Sequence, residues 1–185
     1  LSLLVVAYPE IEQRDYDWIE SLRVKYDQAR YNIVRPHFTL VFPVDNIAEI
    51  DLIKHVQSCV RTVPPISFVL RSAATVYDQF EDRWLVLLIP DEGNGRLSRL
   101  HDSLYTGILA DKWLMKIPYI PHVTVATLAD CQECKDLTAE VNREGVEIDG
   151  MVKAVEILSA SECQAPSRPD LQLKPIKRVR LSGCE

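Results

Sequence analysis

Two stretches decide how this chain is read: Arg35-Pro36-His37-Phe38-Thr39-Leu40-Val41-Phe42-Pro43 and Ile120-Pro121-His122-Val123-Thr124-Val125-Ala126. Both are rich in β-branched and aromatic residues and are entered through a proline, so each reads as a strand. Side chains alternate faces along a strand, which puts His37 with Thr39, and His122 with Thr124, on shared faces about 7 Å apart. Phe38, Leu40, Val123 and Val125 then turn toward a core. In shuffled chains of this composition, one His-x-Thr-aliphatic match is expected a few per cent of the time and two roughly one time in a thousand. Two buried histidines satisfied by neighbouring hydroxyls are the plainer alternative. A single copy would favour it; the doubled copy does not.

Working outward, the chain predicts a strand over Leu3 to Tyr8 and a helix capped at Asp15 or Asp17 carrying Trp18, Ile19, Leu22 and Tyr26. After the first motif comes a helix from about Asn46 to Arg61, with Ile50, Ile53, Val56 and Val60 on one face. A strand over Ile66 to Val76, a turn at Asp78 to Asp82 and a strand over Trp84 to Ile89 follow. A helix from about Asn94 to Ala110 carries Leu97, Leu100, Leu104 and Ile108. After the second motif, Asp130 caps a helix from Cys131 to Glu144 that Gly145 stops. Strands over Val152 to Ala160 and Leu173 to Leu181 complete the reading.

The pattern repeats. Each half runs strand, helix, strand, helix, strand, and His37 and His122 are 85 residues apart. The same offset carries Asn46 onto Cys131 and Ser67 onto Val152. The expectation is an α+β fold: duplicated β-α-β-α-β units forming two antiparallel sheets around a central cleft, in one bilobal domain over 1–185. Lobe 1 covers about 1–80 and lobe 2 about 81–185. Ligand sites favour such junctions.

Composition sets outer limits. The chain has 185 residues, 47% hydrophobic and 26% charged, which suits a folded domain with a true core. With 21 Lys and Arg against 27 Asp and Glu the net charge is −6, which argues against a long nucleic-acid groove. The apolar runs Leu3 to Ala7 and Trp84 to Ile89 fall far short of the about 20 residues that span a bilayer. No signal-peptide pattern opens the chain. Five cysteines form no disulfide framework, and Cys131 with Cys134 lacks a second pair at zinc-ribbon spacing. These features point to a cytoplasmic protein without membrane association, expected as a monomer.

Two imidazoles can divide labour, one taking a proton from a nucleophile and the other giving one to a leaving oxygen. Two hydroxyls can donate hydrogen bonds to phosphate oxygens. Nothing in this set requires a metal. Phosphodiester transfer is the natural reading.

The twin motifs, the opening Leu-Val-Val-Ala-Tyr-Pro segment and their spacing resemble the 2H phosphoesterase superfamily, which includes the 2′-5′ RNA ligase-like proteins and RNA 2′,3′-cyclic phosphodiesterases. The resemblance covers nearly the whole chain. It implies His37 and His122 as the acid/base pair and Thr39 and Thr124 as phosphate-binding residues. No cofactor or metal is implied, and the substrate would be a nucleotide or RNA end bearing a 2′,3′-cyclic phosphate, with 2′-5′ RNA ligation as an accompanying activity. The resemblance leans to His122 as base and His37 as acid. Many members carry Arg soon after the second motif, where Ala126-Thr127-Leu128 stands here.

Tyr119 could stack on a base and Arg35 could supply local positive potential; packing and solvation are the plainer readings. The basic tail Lys174, Lys177, Arg178 and Arg180 reads as a solvated strand. His55 and His101 read as helix surface or core edge. The rival functions are a nucleotide or cyclic-phosphate binding protein with little turnover, and a metal protein using both histidines. The second lacks carboxylates or cysteines beside them.

Overall fold

The computed structural model describes residues 1–114, 117–165 and 168–183. In chain order its elements are β1 (Ser2–Ala7), β2 (Glu10–Ile11), α1 (Gln13–Tyr26), α2 (Gln28–Tyr31), β3 (Phe38–Val44), α3 (Glu49–Val60), β4 (Ile66–Asp78) and β5 (Arg83–Glu92). Then come α4 (Asn94–Leu104), a 3₁₀ turn (Gly107–Lys112), β6 (Val123–Leu128), α5 (Cys131–Glu144), β7 (Ile148–Val152), β8 (Ala154–Ala165) and β9 (Arg168–Arg180).

The strands form two antiparallel sheets, ordered β3-β1-β8-β9 and β2-β7-β4-β5-β6. The α+β class and the paired sheets agree with the sequence reading. The sheets do not follow the sequence halves. β8 and β9 come from the second half and complete the sheet begun by β1 and β3, while β4 from the first half lies between β7 and β5. Strand pairing therefore runs across residue 80, with β4 and β5 on either side of it paired along their length.

Both motif strands carry the same irregularity. Pairing passes from Val6↔Thr39 to Val5↔Val41 in one sheet, and from Leu87↔Thr124 to Val86↔Ala126 in the other. Each strand thus has an extra residue directly after its motif Thr, a β-bulge. Leu40 and Val41, and likewise Val125 and Ala126, are consecutive yet all 0% exposed. Beyond the second bulge Thr127 pairs with Leu85, two residues from the Leu87 that pairs with Thr124, so both threonines share one face.

One face of the first sheet, with Leu3, Val5, Phe38, Leu40 and Ile157, enters a large core with α3, α4, α5 and the second sheet. Phe38 meets Phe68 of β4 edge to face at 5.0 Å, locking the first motif strand to the opposite sheet. The other face holds a small apolar cluster of Leu4, Val6, Leu158 and Ala160 with Tyr8 and Leu173. This second face looks into the cleft.

Several boundaries differ from the periodicity. α1 begins at Gln13, so Glu12 rather than Asp15 or Asp17 precedes its first turn, and its side chain makes no capping hydrogen bond. α3 begins at Glu49: Asn46 adopts a left-handed φ of 62° and Ala48, just before the helix, is extended at ψ 137°. Its buried face is Leu52, Val56 and Val60, while Ile50 is exposed. The predicted helix over 94–110 stops at Leu104 and resumes as a 3₁₀ turn, leaving Ile108 exposed. Pro43 continues β3 rather than ending it, and it lies on an edge strand at a second register shift, between Val5↔Val41 and Leu3↔Val44, where a proline is tolerated. α5 matches its caps: the Asp130 side chain accepts from the Glu133 N–H at 2.8 Å, and Gly145 takes φ 71°.

Candidate active site between the sheets

A cleft of about 630 Å³ opens between the two sheets, lined by His37, Thr39, His122 and Thr124 together. The two motifs, 85 residues apart in sequence, converge on one space. Much of the remaining lining is apolar, including Leu4, Leu85, Leu87, Phe80, Leu171 and Leu173.

Each histidine sits one residue before its strand begins, directly after a buried proline. The ring folds back on its own chain: His37 Nδ1 lies 2.8 Å from the Arg35 carbonyl oxygen, and His122 Nδ1 lies 2.6 Å from that of Ile120. A carbonyl only accepts, so Nδ1 is the donor in both rings and Nε2 is left to face the cleft chemistry. One local device thus sets the same tautomer twice. Both imidazoles are half-buried. Burial lowers the pKa of each, His37 from 6.5 to about 4, against the opposing pull of the backbone hydrogen bond. The charges of Arg23, the His122 imidazole and Arg30 push His37 further the same way. At neutral pH the cleft presents neutral imidazoles, ready to accept a proton.

Tyr119 and Arg35 have other partners. The Tyr119 hydroxyl donates to the Thr39 carbonyl at 2.9 Å, tying the approach to β6 onto β3, and its ring stacks on His101 at 3.7 Å and 9°. His101 in turn lies 2.9 Å from Asp102 through Nδ1. Tyr119 lines the cleft, but its hydroxyl and one face are engaged with protein. Burial also holds its hydroxyl protonated, well above the usual phenol range. Arg35 is exposed, and its guanidinium lies 4.1 Å from the Tyr8 ring centroid; its carbonyl, rather than its charge, serves His37. His55 holds the Leu104 carbonyl at 2.8 Å through Nε2 and joins α3 to the end of α4.

The periodicity gave no sign of a charged network at one wall of the cleft. Arg23, 2% exposed, donates to Glu20 and to the Val34 carbonyl, each at 2.6 Å. Asp27, also 2% exposed, accepts from the Thr127 hydroxyl at 2.8 Å, and Arg30 Nη1 donates to the same hydroxyl at 2.7 Å. Arg30 Nη2 pairs with Glu81 on the turn between β4 and β5. Burial raises the Asp27 pKa against the opposing hydrogen bond from Thr127. Asp27 to Thr127 spans 100 residues of sequence. The i, i+3 and i, i+4 spacing of Glu20, Arg23 and Asp27 matches ordinary surface ion pairs, so nothing in it separates a cleft wall from a solvated helix.

The arrangement offers two proton-transfer groups, two hydroxyl donors and a nearby guanidinium around one cavity. Among the described residues, no group of three or more His, Cys, Asp or Glu side chains converges as a metal site, and no helix is long and apolar enough to cross a membrane.

Comparison with known proteins is consistent in kind. A family model described as the 2′-5′ RNA ligase superfamily matches residues 9–162. A candidate phosphoesterase of Geobacillus sp. (strain WCH70) is 28% identical over 146 residues, covering 79% of this chain and 82% of the relative. One from Geobacillus kaustophilus is 25% identical, covering 83% and 85%. Among solved structures, E. coli LigT complexed with 3′-AMP superposes with a TM-score of 0.63 at 18% identity, covering 98% of each chain. A protein of Thermus thermophilus gives 0.64 at 14% identity, covering 99% of each. LigT has also been solved with phosphate, ATP and NADP+.

Proposed function

The chain belongs to the 2′-5′ RNA ligase superfamily, and on that premise we propose that it is a metal-independent cyclic phosphodiesterase acting on a 2′,3′-cyclic nucleotide or RNA end. The observation that carries this reading is the convergence of His37, Thr39, His122 and Thr124 on one cleft with both Nε2 atoms left available. The nucleotides and phosphate held by LigT, which shares the fold, give a matching ligand chemistry.

In this mechanism Thr39 and Thr124 hold the non-bridging phosphate oxygens. One imidazole Nε2 takes a proton from water as the water oxygen bonds to phosphorus. The bond from phosphorus to one ribose oxygen breaks, and the other imidazole protonates that oxygen. A phosphomonoester and a free ribose hydroxyl result. Ligation uses the same exchange at phosphorus, with the 5′-hydroxyl of a second strand in place of water. Because burial favours the neutral form of both rings, the acid must gain its proton with the substrate, whose negative charge raises the imidazole pKa. The acid and base roles are therefore distributed by the bound substrate. We take residues 1–185 as one functional unit, working as a monomer in the cytoplasm.

Hydrolysis of adenosine 2′,3′-cyclic phosphate tests the reading. His37→Ala and His122→Ala should each cut kcat by about a hundredfold or more with the circular dichroism spectrum unchanged. EDTA treatment should leave the wild-type rate intact. Undiminished turnover in either variant would refute the mechanism. Tight nucleotide binding with no product over hours in the wild type would favour a binding protein instead.

A further inference from the structure

The cleft carries more charge than the twin motifs supply. Its lining includes two cations, Arg23 and Arg30, and three carboxylates, Asp27, Asp78 and Glu81. An anion entering a net-negative lining meets repulsion unless one carboxylate leaves. Arg23 and Asp27 are each 2% exposed and held in place, Arg23 by Glu20 and the Val34 carbonyl, Asp27 by Thr127. Asp78 caps its turn by accepting from the Phe80 N–H at 2.8 Å. Glu81 differs: its side chain is 51% exposed on that turn, and it is paired to Arg30.

Arg30 is well placed to receive what Glu81 would give up. Its Nη1 is anchored on the Thr127 hydroxyl. The bulge in β6 puts Thr127 beside Thr124 on the cleft face, with their partners Leu85 and Leu87 two residues apart. That separation is about 7 Å, a distance an Arg fork and one phosphate can bridge. The same guanidinium is near enough to His37 for its charge to disfavour the imidazolium there.

We propose that Arg30 binds the substrate phosphate beside Thr124, and that Glu81 occupies its guanidinium until the anion arrives and displaces it. This rests on the phosphoester reading of the cleft and adds a cation, with a built-in competitor, that neither motif contains. Exchange of one carboxylate for a phosphate leaves Arg30 paired in both states. It also removes a negative charge from the cleft wall as the substrate's charge enters.

The test is calorimetric titration of the whole protein with inorganic phosphate. Arg30→Gln should weaken binding about tenfold or more, as loss of a charge-assisted hydrogen bond does. Glu81→Gln should tighten it about threefold by freeing Nη2 of the same guanidinium, whose Nη1 stays with Thr127 and Asp27. Opposite signs are the signature, because both variants break the Arg30–Glu81 pair and a purely structural pair would shift binding the same way. Unchanged affinity in a folded Arg30→Gln variant, or no tightening in Glu81→Gln, would overturn the proposal. So would absence of phosphate binding by the wild type at millimolar concentration. If Arg30→Gln does not fold, the sign in Glu81→Gln decides alone. Turnover by His37→Ala is read separately, so retained hydrolysis there refutes the two-histidine mechanism while the phosphate signs still judge Arg30.

Discussion

His37 has a proton balance that links the site to folding. Its folded pKa, about 4, lies below the ordinary 6.5. Between those values the unfolded chain carries a proton on this ring that the folded chain lacks. Stability associated with His37 is therefore present above pH 6.5 and lost as pH falls toward 4. Urea denaturation at a series of pH values should show His37→Gln losing less stability than the wild type over that window. Parallel wild-type and variant curves would show that burial does not act on this ring as described. The same balance applies to binding: an anion that raises the imidazole pKa brings a proton onto the ring as it enters, so sulfate, whose own charge is constant there, should bind more tightly at about pH 5 than at about pH 7.

At the scale of elements, the motif strands were legible because local signals agreed with the tertiary outcome: a proline at entry, β-branched content, and a His-x-Thr pair on one face. α5 was equally legible, since Asp130 and Gly145 mark its ends chemically. The two bulges were not. A doubled buried pair such as Leu40-Val41 or Val125-Ala126 looks in sequence like any apolar run, and only the pairing partner shows that one residue is extra. For the same reason Thr127 gave no sign of joining the cleft face. The strand expected over Val152 to Ala160 is β8 with the last residue of β7, and the rest of β7 carried no expectation; only Lys153 separates the two strands. Gly150 in β7 has a role that packing alone reveals: an added Cβ would meet Ile11 Cγ2 at 2.7 Å and Phe68 Cε1 at 2.8 Å. Gly150→Ala should destabilise the fold by about 1–3 kcal/mol in chemical denaturation, through the ring that braces Phe38. A variant as stable as the wild type would mean that this strand shifts freely.

Across the whole molecule, the two sheets must hold their histidines at a fixed separation for either to act on one phosphate. The Tyr119 hydroxyl, reaching from the approach to β6 across to the Thr39 carbonyl, is a direct tie between them. Its ring is backed by His101 of α4. Tyr119→Phe keeps the stack and removes the tie. It should lower kcat about tenfold with little change in KM, and lower stability by about 1–2 kcal/mol. Steady-state kinetics with the same cyclic nucleotide would check this; an unaltered kcat would leave Tyr119 as packing alone. Rescue of the rate is not expected from Tyr119→Leu, which loses the stack as well.

The crossing of strands between the sequence halves has a consequence for how the protein is made. Both His-x-Thr motifs have left the ribosome once residue 128 has, yet β1 and β3 then stand as a two-stranded ribbon, because their neighbours β8 and β9 have yet to emerge. Isolated two-stranded ribbons are marginal in water. The nascent chain therefore holds every proposed catalytic group well before it holds a working cleft. Activity waits on the last strands, which carry none of those groups.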